Sequence, residues 1–285
     1  MRGNKGCLFV VATPLGNLDD ITLRAIDTLK GVELVAAEDT RRTRKLLSSL
    51  DIRARLVSCH EFNEAKRVEI IEEAINQGND VALVTDAGTP GVSDPGARLI
   101  AALRERGVEI VPIPGPSAVA CALSVCGMKA DSYHFAGFLP NARQERKRAL
   151  ERLATLEELL VFFESPHRIK ATLKDMLEIF GDRRAFLARE MTKAHETYIS
   201  GTLSHILEEL SPHEKVKGEI TLVVEGSSER RGEAEVLPRE LTQLLKALLS
   251  GSHLGVKEAS RLIASLTGIK KGKVYELALK IKDEA

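Results

Sequence analysis

Val81-Ala82-Leu83-Val84-Thr85-Asp86-Ala87-Gly88-Thr89-Pro90-Gly91-Val92-Ser93-Asp94-Pro95-Gly96 decides how this chain folds. Its apolar start, Val81 to Val84, has the length and the β-branched content of a strand buried on both faces. The run stops at Thr85-Asp86 and enters a loop stiffened by Pro90 and Pro95. Gly88, Gly91 and Gly96 leave that loop free to adopt φ > 0 or to bring backbone close to a ligand. In open α/β sheets, ligands lie outside the carboxyl ends of strands, which is where this loop falls. A second carboxylate, Asp94, lies in the same loop.

The pattern recurs along the chain. Leu8 to Ala12 runs into Thr13-Pro14-Leu15-Gly16-Asn17, and Val108 to Val111 into Pro112-Ile113-Pro114-Gly115-Pro116-Ser117-Ala118. Leu159 to Phe163 runs into Glu164-Ser165-Pro166-His167-Arg168, and Ala185 to Ala188 into Arg189-Glu190-Met191-Thr192-Lys193. Helical spacing fills the intervals. Asp19 or Asp20 is placed to cap a helix carrying Leu23, Ile26 and Leu29, Asn63-Glu64 opens a second, and Pro95-Gly96 opens a third. This alternation predicts an α/β fold whose parallel sheet is covered by helices on both faces over residues 1–115. A second α/β domain follows over 116–230, with strands at Tyr133–Ala136, Leu159–Phe163, Ala185–Ala188 and Ile220–Glu225. A charged linker is read at Ser227–Pro238. The tail, 238–285, carries three apolar helical stripes with a short Gly-containing turn between the last two, the pattern of a helix-turn-helix-like unit.

Composition narrows the function. Lys+Arg and Asp+Glu balance at 41 each, so any nucleic-acid surface has to be local. Cys7, Cys59, Cys121 and Cys126 form no CxxC and no metal spacing; three of them lie in or beside apolar runs and read as small buried hydrophobes of a reducing compartment. No signal-peptide pattern or spanning helix is found, which predicts a soluble, cytoplasmic protein without membrane or metal. GxGxxG after the first strand and GxxxxGK[ST] are both missing, against a dinucleotide or P-loop site. Gly91-Val92-Ser93-Asp94-Pro95 only approaches a nucleophile elbow, because Pro95 replaces the last glycine; a hydrolase using Ser93 with His134, His167 or His195 is a weak rival. His60-Glu61 and His195-Glu196 lack a second zinc-spaced histidine.

Thr13-Pro14-Leu15-Gly16-Asn17-Leu18, Ala37-Glu38-Asp39-Thr40-Arg41, Thr85 to Gly96, Pro114-Gly115-Pro116-Ser117-Ala118 and Phe163 to Arg168 together resemble the tetrapyrrole-methylase-like (class III) S-adenosylmethionine-dependent methyltransferases. Within that family the chain is similar to the branch that methylates a cytidine ribose 2′-hydroxyl in the decoding region of bacterial small-subunit ribosomal RNA. The resemblance spans nearly the whole chain. It implies a homodimer, S-adenosyl-L-methionine folded into a cleft between the two α/β domains, and small-subunit RNA or the assembled 30S particle as partner. By motif, donor contacts carry over to Leu15, Asp86, Ala87, Gly88, Thr89, Ser117 and Ala118, and from the second domain to Phe163, Met191 and Glu219. Related branches have Gly-Asp-Pro where this chain has Thr85-Asp86-Ala87, a departure within the donor loop itself.

Residue chemistry stands beside that resemblance. Asp86 suits cationic or hydroxyl groups of a donor, or is a turn-forming Asx residue; Ser117 suits a ligand, or is a helix N-cap. A ribose hydroxyl is a poor nucleophile and gains from a general base. Glu38, Asp39, Glu61, Glu190, Lys193 and His167 are candidates, with Glu190 and Lys193 leading. Phosphate contact falls to Arg41, Arg42 and Arg44, to His167 and Arg168, and to Lys270, Lys271 and Lys273. The basic stretch Arg143, Arg146, Lys147, Arg148 and Arg152 is a further track. With no Trp and no aromatics among the basic clusters, base stacking reads as minor. The rival functions are a tetrapyrrole-precursor methyltransferase and a nucleic-acid-binding regulator.

Overall fold

The computed structural model describes residues 5–212, 214–228, 239–251, 254–267, 269 and 271–283. They form two compact units, one ending at Ser228 and one beginning at Glu229. The linker expected at Ser227–Pro238 falls almost entirely outside the described residues.

The first unit opens with five parallel strands, β1 (Leu8–Val11), β2 (Leu34–Ala37), β3 (Arg55–Ser58), β4 (Val81–Val84) and β5 (Ile110–Ile113), in the order β3-β2-β4-β1-β5. Strand alternation sorts their side chains onto two faces. Leu8, Val10, Leu34, Ala36, Val81 and Leu83 pack under α3 (Glu64–Asn76) and α4 (Ala97–Glu105). Val11, Val35, Ala37, Ala82 and Val84 pack under α1 (Leu23–Gly31) and α2 (Thr40–Ser49). Burial on both faces is why the run Val81–Val84 is apolar without alternation.

Local expectations are corrected at several points. The last strand of this sheet lies two residues later than Val108–Val111 and contains Pro112, which an edge strand tolerates because it has no ladder donor to lose. The first helix is capped by Thr22, whose side chain accepts from Ala25 N–H at 3.1 Å; Asp19 and Asp20 lie in a preceding 3₁₀ turn. Asn63 occupies the N-cap of α3, but its side chain turns back to accept from His60 N–H.

The second sheet holds β6 (Tyr133–Phe138), β7 (Leu159–Glu164), β8 (Arg184–Arg189), β9 (Thr197–Thr202) and β10 (Ile220–Val224), ordered β6-β7-β10-β8-β9. Only β6 and β7 run parallel. Helix α5 (Ala118–Val125) buries Val119 and Ala122 on one face with Val161, Ala188 and Met191. On the other face, Leu160, Phe162 and Leu222 pack beneath α6 (Arg143–Leu153), α7 (Ile169–Phe180) and α8 (Leu203–Leu210).

The second unit contains α9 (Arg239–Gly251), α10 (Val256–Thr267) and α11 (Lys271–Asp283) around Leu245, Ala259, Ile263, Val274, Ala278 and Ile281. No described helix is long and apolar enough to cross a membrane.

One buried carboxylate joins the layers of the first sheet. Gly96, at φ +127°, precedes α4 and offers no side-chain cap. Glu64, from the first turn of α3 and 4% exposed, takes that place by accepting from the N–H groups of Gly96, Arg98 and Leu99 at 3.0–3.1 Å. Removing it strands buried donors, so Glu64→Ala is expected to cost about 3 kcal/mol in urea unfolding, with Glu64→Gln costing less. A loss below about 0.5 kcal/mol would deny the cap its role.

Candidate functional site

The loops that leave β1, β4 and β5 are tied together at the carboxyl edge of the first sheet. Thr13 and Gly88 exchange backbone hydrogen bonds at 2.9 and 3.0 Å, and the buried Thr13 hydroxyl donates to the Thr85 carbonyl. Gly88 has φ +76°, and a Cβ there would meet Leu15 at 3.5 Å. Thr89 donates to the Pro116 carbonyl at 3.5 Å. Leu15, Asp86, Ala87, Gly88 and Thr89 thus border one crevice with Pro116. Ser117 accepts from Ala120 N–H at 3.4 Å, so it is the N-cap of α5, and Ala118 begins that helix.

The second sheet closes over this edge. Lys193 lies across Gly16 so tightly that any side chain there would overlap it. Its ammonium bonds Glu190 at 2.8 Å and Glu219 at 3.2 Å, while Glu190 also accepts from Glu219 N–H. Glu190 and Thr192 hold φ +53° and +67°, a conformation costly for residues with a Cβ. Thr192 Oγ1 is buried with no partner among the described residues, an orphan acceptor and donor beside this strap. Phe163 packs edge-on against Phe135 and Phe138. Met191 is buried in the core beneath α5, so that only its backbone is available to a ligand.

Negative charge concentrates here. Asp86 accepts from Asp39 N–H at 3.2 Å and pairs with Arg42 at 3.1 Å, and its own N–H donates to Glu38 at 3.2 Å. Burial pushes the Asp86 and Glu38 carboxyls up, although Arg42 works against it in both. Asp94 makes no ion pair among the described residues and is pushed up to about 7, first by burial and then by Glu38, Asp86 and Glu219. This acidic crevice, with its orphan hydroxyl and N–H-rich loops, fits a ligand bearing positive charge together with hydrogen-bonding groups, as S-adenosylmethionine does.

The leading base candidates have other parts. Hydrogen bonding by Lys193 lowers the Glu190 carboxyl despite some burial. Burial lowers the Lys193 ammonium, but its carboxylate partners outweigh that and keep it charged. The pair is a closed ionic strap rather than a proton acceptor. Asp39 is the N-cap of α2 and is held far down by its bonds to Arg41. Asp94 has the proton affinity a base needs; the clue was its place as the second carboxylate of the Gly/Pro loop.

The basic residues are also redistributed. Arg41 folds onto Asp39 and Arg42 onto Asp86, leaving Arg44 exposed. Arg168 is committed to buried Glu164, to Asn141 and to the Leu139 carbonyl, so it organises the loop after β7. His167 beside it is exposed. Arg146 is buried against Asp175, and Arg143 and Lys147 pair with Asp175 and Glu178. A helix face carrying these pairs presents less free charge than its sequence implies. Lys270 and the side chain of Lys273 lie outside the described residues; Lys271 is exposed at the start of α11. Among the described residues no cluster is arranged to hold a metal. The four cysteines are free thiols, with burial pushing Cys59 up to about 11.

Because Asp94 ionises near 3.8 unfolded and about 7 folded, the cost of its buried charge grows between those values and is complete above them. Asp94→Asn is therefore expected to raise Tm at about pH 8.5 and leave it unchanged near pH 3.5. An equal change at both values would mean that ionisation of this group is not the cause.

Comparison with known proteins agrees with the geometry. Residues 7–207 match the model of Tetrapyrrole (Corrin/Porphyrin) Methylases, and residues 235–282 match the RsmI C-terminal HTH domain. Ribosomal RNA small subunit methyltransferase I of Halalkalibacterium halodurans is 41% identical over 278 residues, covering 97% of this chain and 96% of that protein. The proteins of that name from Haemophilus influenzae and from Neisseria meningitidis serogroup B are 42% and 43% identical, over 96% and 98% of this chain and 96% and 95% of their own lengths. Among solved structures, a cobalt precorrin-4 methyltransferase of cobalamin biosynthesis superposes with a TM-score of 0.58 at 18% identity, covering 76% of this chain and 93% of its own. Uroporphyrin-III C-methyl transferase from Thermus thermophilus, complexed with S-adenyl homocysteine, gives 0.55 at 17% identity, covering 76% and 97%. These two likenesses establish the fold.

Proposed function

We infer that this chain, which belongs to the tetrapyrrole (corrin/porphyrin) methylase family, is an S-adenosylmethionine-dependent methyltransferase acting on small-subunit ribosomal RNA. The observation that carries the reading is the crevice where Glu38, Asp86 and Asp94 gather beside loops bound edge to edge, under the Lys193 strap. The full-length relatives and the helix-turn-helix tail favour RNA over a tetrapyrrole precursor as substrate, and a regulator has no use for a donor crevice.

The methyl acceptor in this reading is a cytidine ribose 2′-hydroxyl, presented by RNA or the assembled 30S particle to a cytoplasmic homodimer. Residues 1–115 and 116–230 act as two domains that share the donor cleft, and 238–285 docks RNA. S-adenosylmethionine supplies, when bound, a methyl group already activated on a sulfonium, so positioning accounts for much of the catalysis. Leu15, Ala87, Gly88 and Thr89 form one wall for it, with Ser117 and Ala118 at the base and Phe163, Met191 and Glu219 opposite. Asp86 and Glu38 hold its positive charge. Lys193, anchored by Glu190 and Glu219, keeps the second domain closed on Gly16 and excludes water. Asp94 receives the proton of the attacking hydroxyl. Arg44, His167 and Lys271 contact phosphates.

Labelled S-adenosylmethionine offered to intact small subunits, naked ribosomal RNA and a porphyrin precursor should mark RNA in one of the first two. Label only in the porphyrin would overturn the substrate. Asp86→Ala is expected to weaken S-adenosylhomocysteine binding about tenfold, or about 1.4 kcal/mol, by calorimetry; an unchanged affinity would remove Asp86 from the donor site.

The base must be ionised to act, so kcat/KM should rise with pH to a plateau above about 7, the value for free Asp94. The kcat profile should rise at lower pH, because a bound cation favours the ionised carboxylate. Asp94→Asn should flatten both limbs and lower kcat by about a hundredfold. A profile unchanged in the variant would assign the proton to another group.

A further inference from the structure

A second cavity adjoins the acidic crevice. It is an open depression of about 600 Å³ between the loop after β3 and the start of α4, within the size range of small-molecule sites. Glu38 and Asp94 belong to both places, so the cavity opens onto the groups assigned above to the donor's charge and to the proton. Phe62 belongs to the rim and is 90% exposed, the most exposed large apolar side chain among the described residues. Its ring is held edge-on to His60 at 6.2 Å between centroids. His60 Nδ1 is buried without a partner, while its Nε2 faces the Asn63 amide at 3.1 Å. His60 therefore lines the cavity with a ring held on one side by Asn63, its Nδ1 turned inward and without a partner among the described residues. Arg98 lines it too, its backbone fixed by Glu64 and its side chain in solvent.

Each feature matches part of one ligand. A flat ring exposed to solvent is the surface on which an unstacked base rests, and such stacking tolerates any base. A guanidinium at the edge suits the phosphate, and the shared carboxylates lie where a ribose hydroxyl has to lose its proton. The expectation that stacking is minor followed from the lack of aromatics near the basic clusters; Phe62 is instead on the loop that overhangs the acidic ones.

We propose that this cavity binds the target nucleotide of an unpaired RNA strand, with its base stacked on Phe62 and its ribose directed toward Asp94 and the donor crevice. The proposal rests on the methyltransferase reading above and adds the place where the acceptor is held.

The chain contains no Trp, so Phe62→Trp makes a single fluorescent reporter in the full-length protein. Single-stranded oligocytidylate added with S-adenosylhomocysteine should quench it, as a base stacked on the indole would. Phe62→Ala should lower kcat/KM for small subunits on the order of tenfold or more, with calorimetric affinity for S-adenosylhomocysteine unchanged. Unimpaired methylation by Phe62→Ala, or a reporter indifferent to RNA, would overturn the proposal. A reporter that responds only to protein concentration would assign Phe62 to contact with a second copy and overturn it equally. A parent chain that fails to bind S-adenosylhomocysteine would overturn the donor reading itself, an outcome separate from loss of RNA methylation alone.

Discussion

The three N–H groups that converge on the Glu64 carboxylate are the constraint from which the site follows. Without a cap, α4 would begin with stranded donors behind a Gly/Pro loop and would have no fixed start. The carboxylate comes from the first turn of α3, so the same contact fixes two helices of one layer against each other. The loop from Thr85 to Pro95 is then suspended between two fixed points, the Thr13–Gly88 exchange at one end and Glu64 at the other. Ser93 at φ +61° reaches the second sheet at Gly137 from that suspended segment. A serine in this conformation is held there by its surroundings, and its contact at Gly137 links the loop to the second sheet.

The closure over Gly16 shows the same economy. Lys193 is neutralised by Glu190 and Glu219, yet those carboxylates stand on strand ends of the second sheet, so the ammonium is aimed before the first domain is reached. Two residues with positive φ, Glu190 and Thr192, make that aim possible. Strain of this kind persists only where surrounding contacts over-determine it. Here they include the Glu190 N–H donated to the Glu219 carbonyl and the Glu219 N–H accepted by the Glu190 carboxylate.

Much of the frame was legible in the sequence because it is written in local signals. Apolar runs bounded by Gly and Pro located β1, β4, β7, β8 and β10, since strands buried on both faces leave a continuous trace. The missed strands have weaker traces: β3 and β9 are sheet edges with mixed burial, and β2 is half alanine. Side-chain pairings were harder to read. That Arg42 turns inward to Asp86, Arg146 to Asp175 and Arg168 to Glu164 depends on residues 44, 29 and 4 positions away, and no composition argument reports which cation is already spent. Asp94 and Phe62 were hidden for the converse reason. Their significance lies in exposure and in the charges of distant neighbours, and neither is visible until the chain has folded.

The gathered carboxylates also make sense as a charge-conserving device. Methyl transfer turns a sulfonium into a neutral thioether and frees one proton from the acceptor hydroxyl. If that proton lands on Asp94, the crevice loses one positive and one negative charge together, and its net charge is the same before and after. A like-charged cluster helps in both directions. While a cation is present, its field favours the ionised acceptor. Once the positive charge is gone, Glu38, Asp86 and Glu219 raise the proton affinity of Asp94 again, which draws the reaction forward. A lone buried aspartate would lack that second push, and an aspartate paired with its own arginine would lack the affinity altogether. An acceptor without an ion pair among the described residues, placed near Asp86 and Glu219 that have theirs, meets both demands.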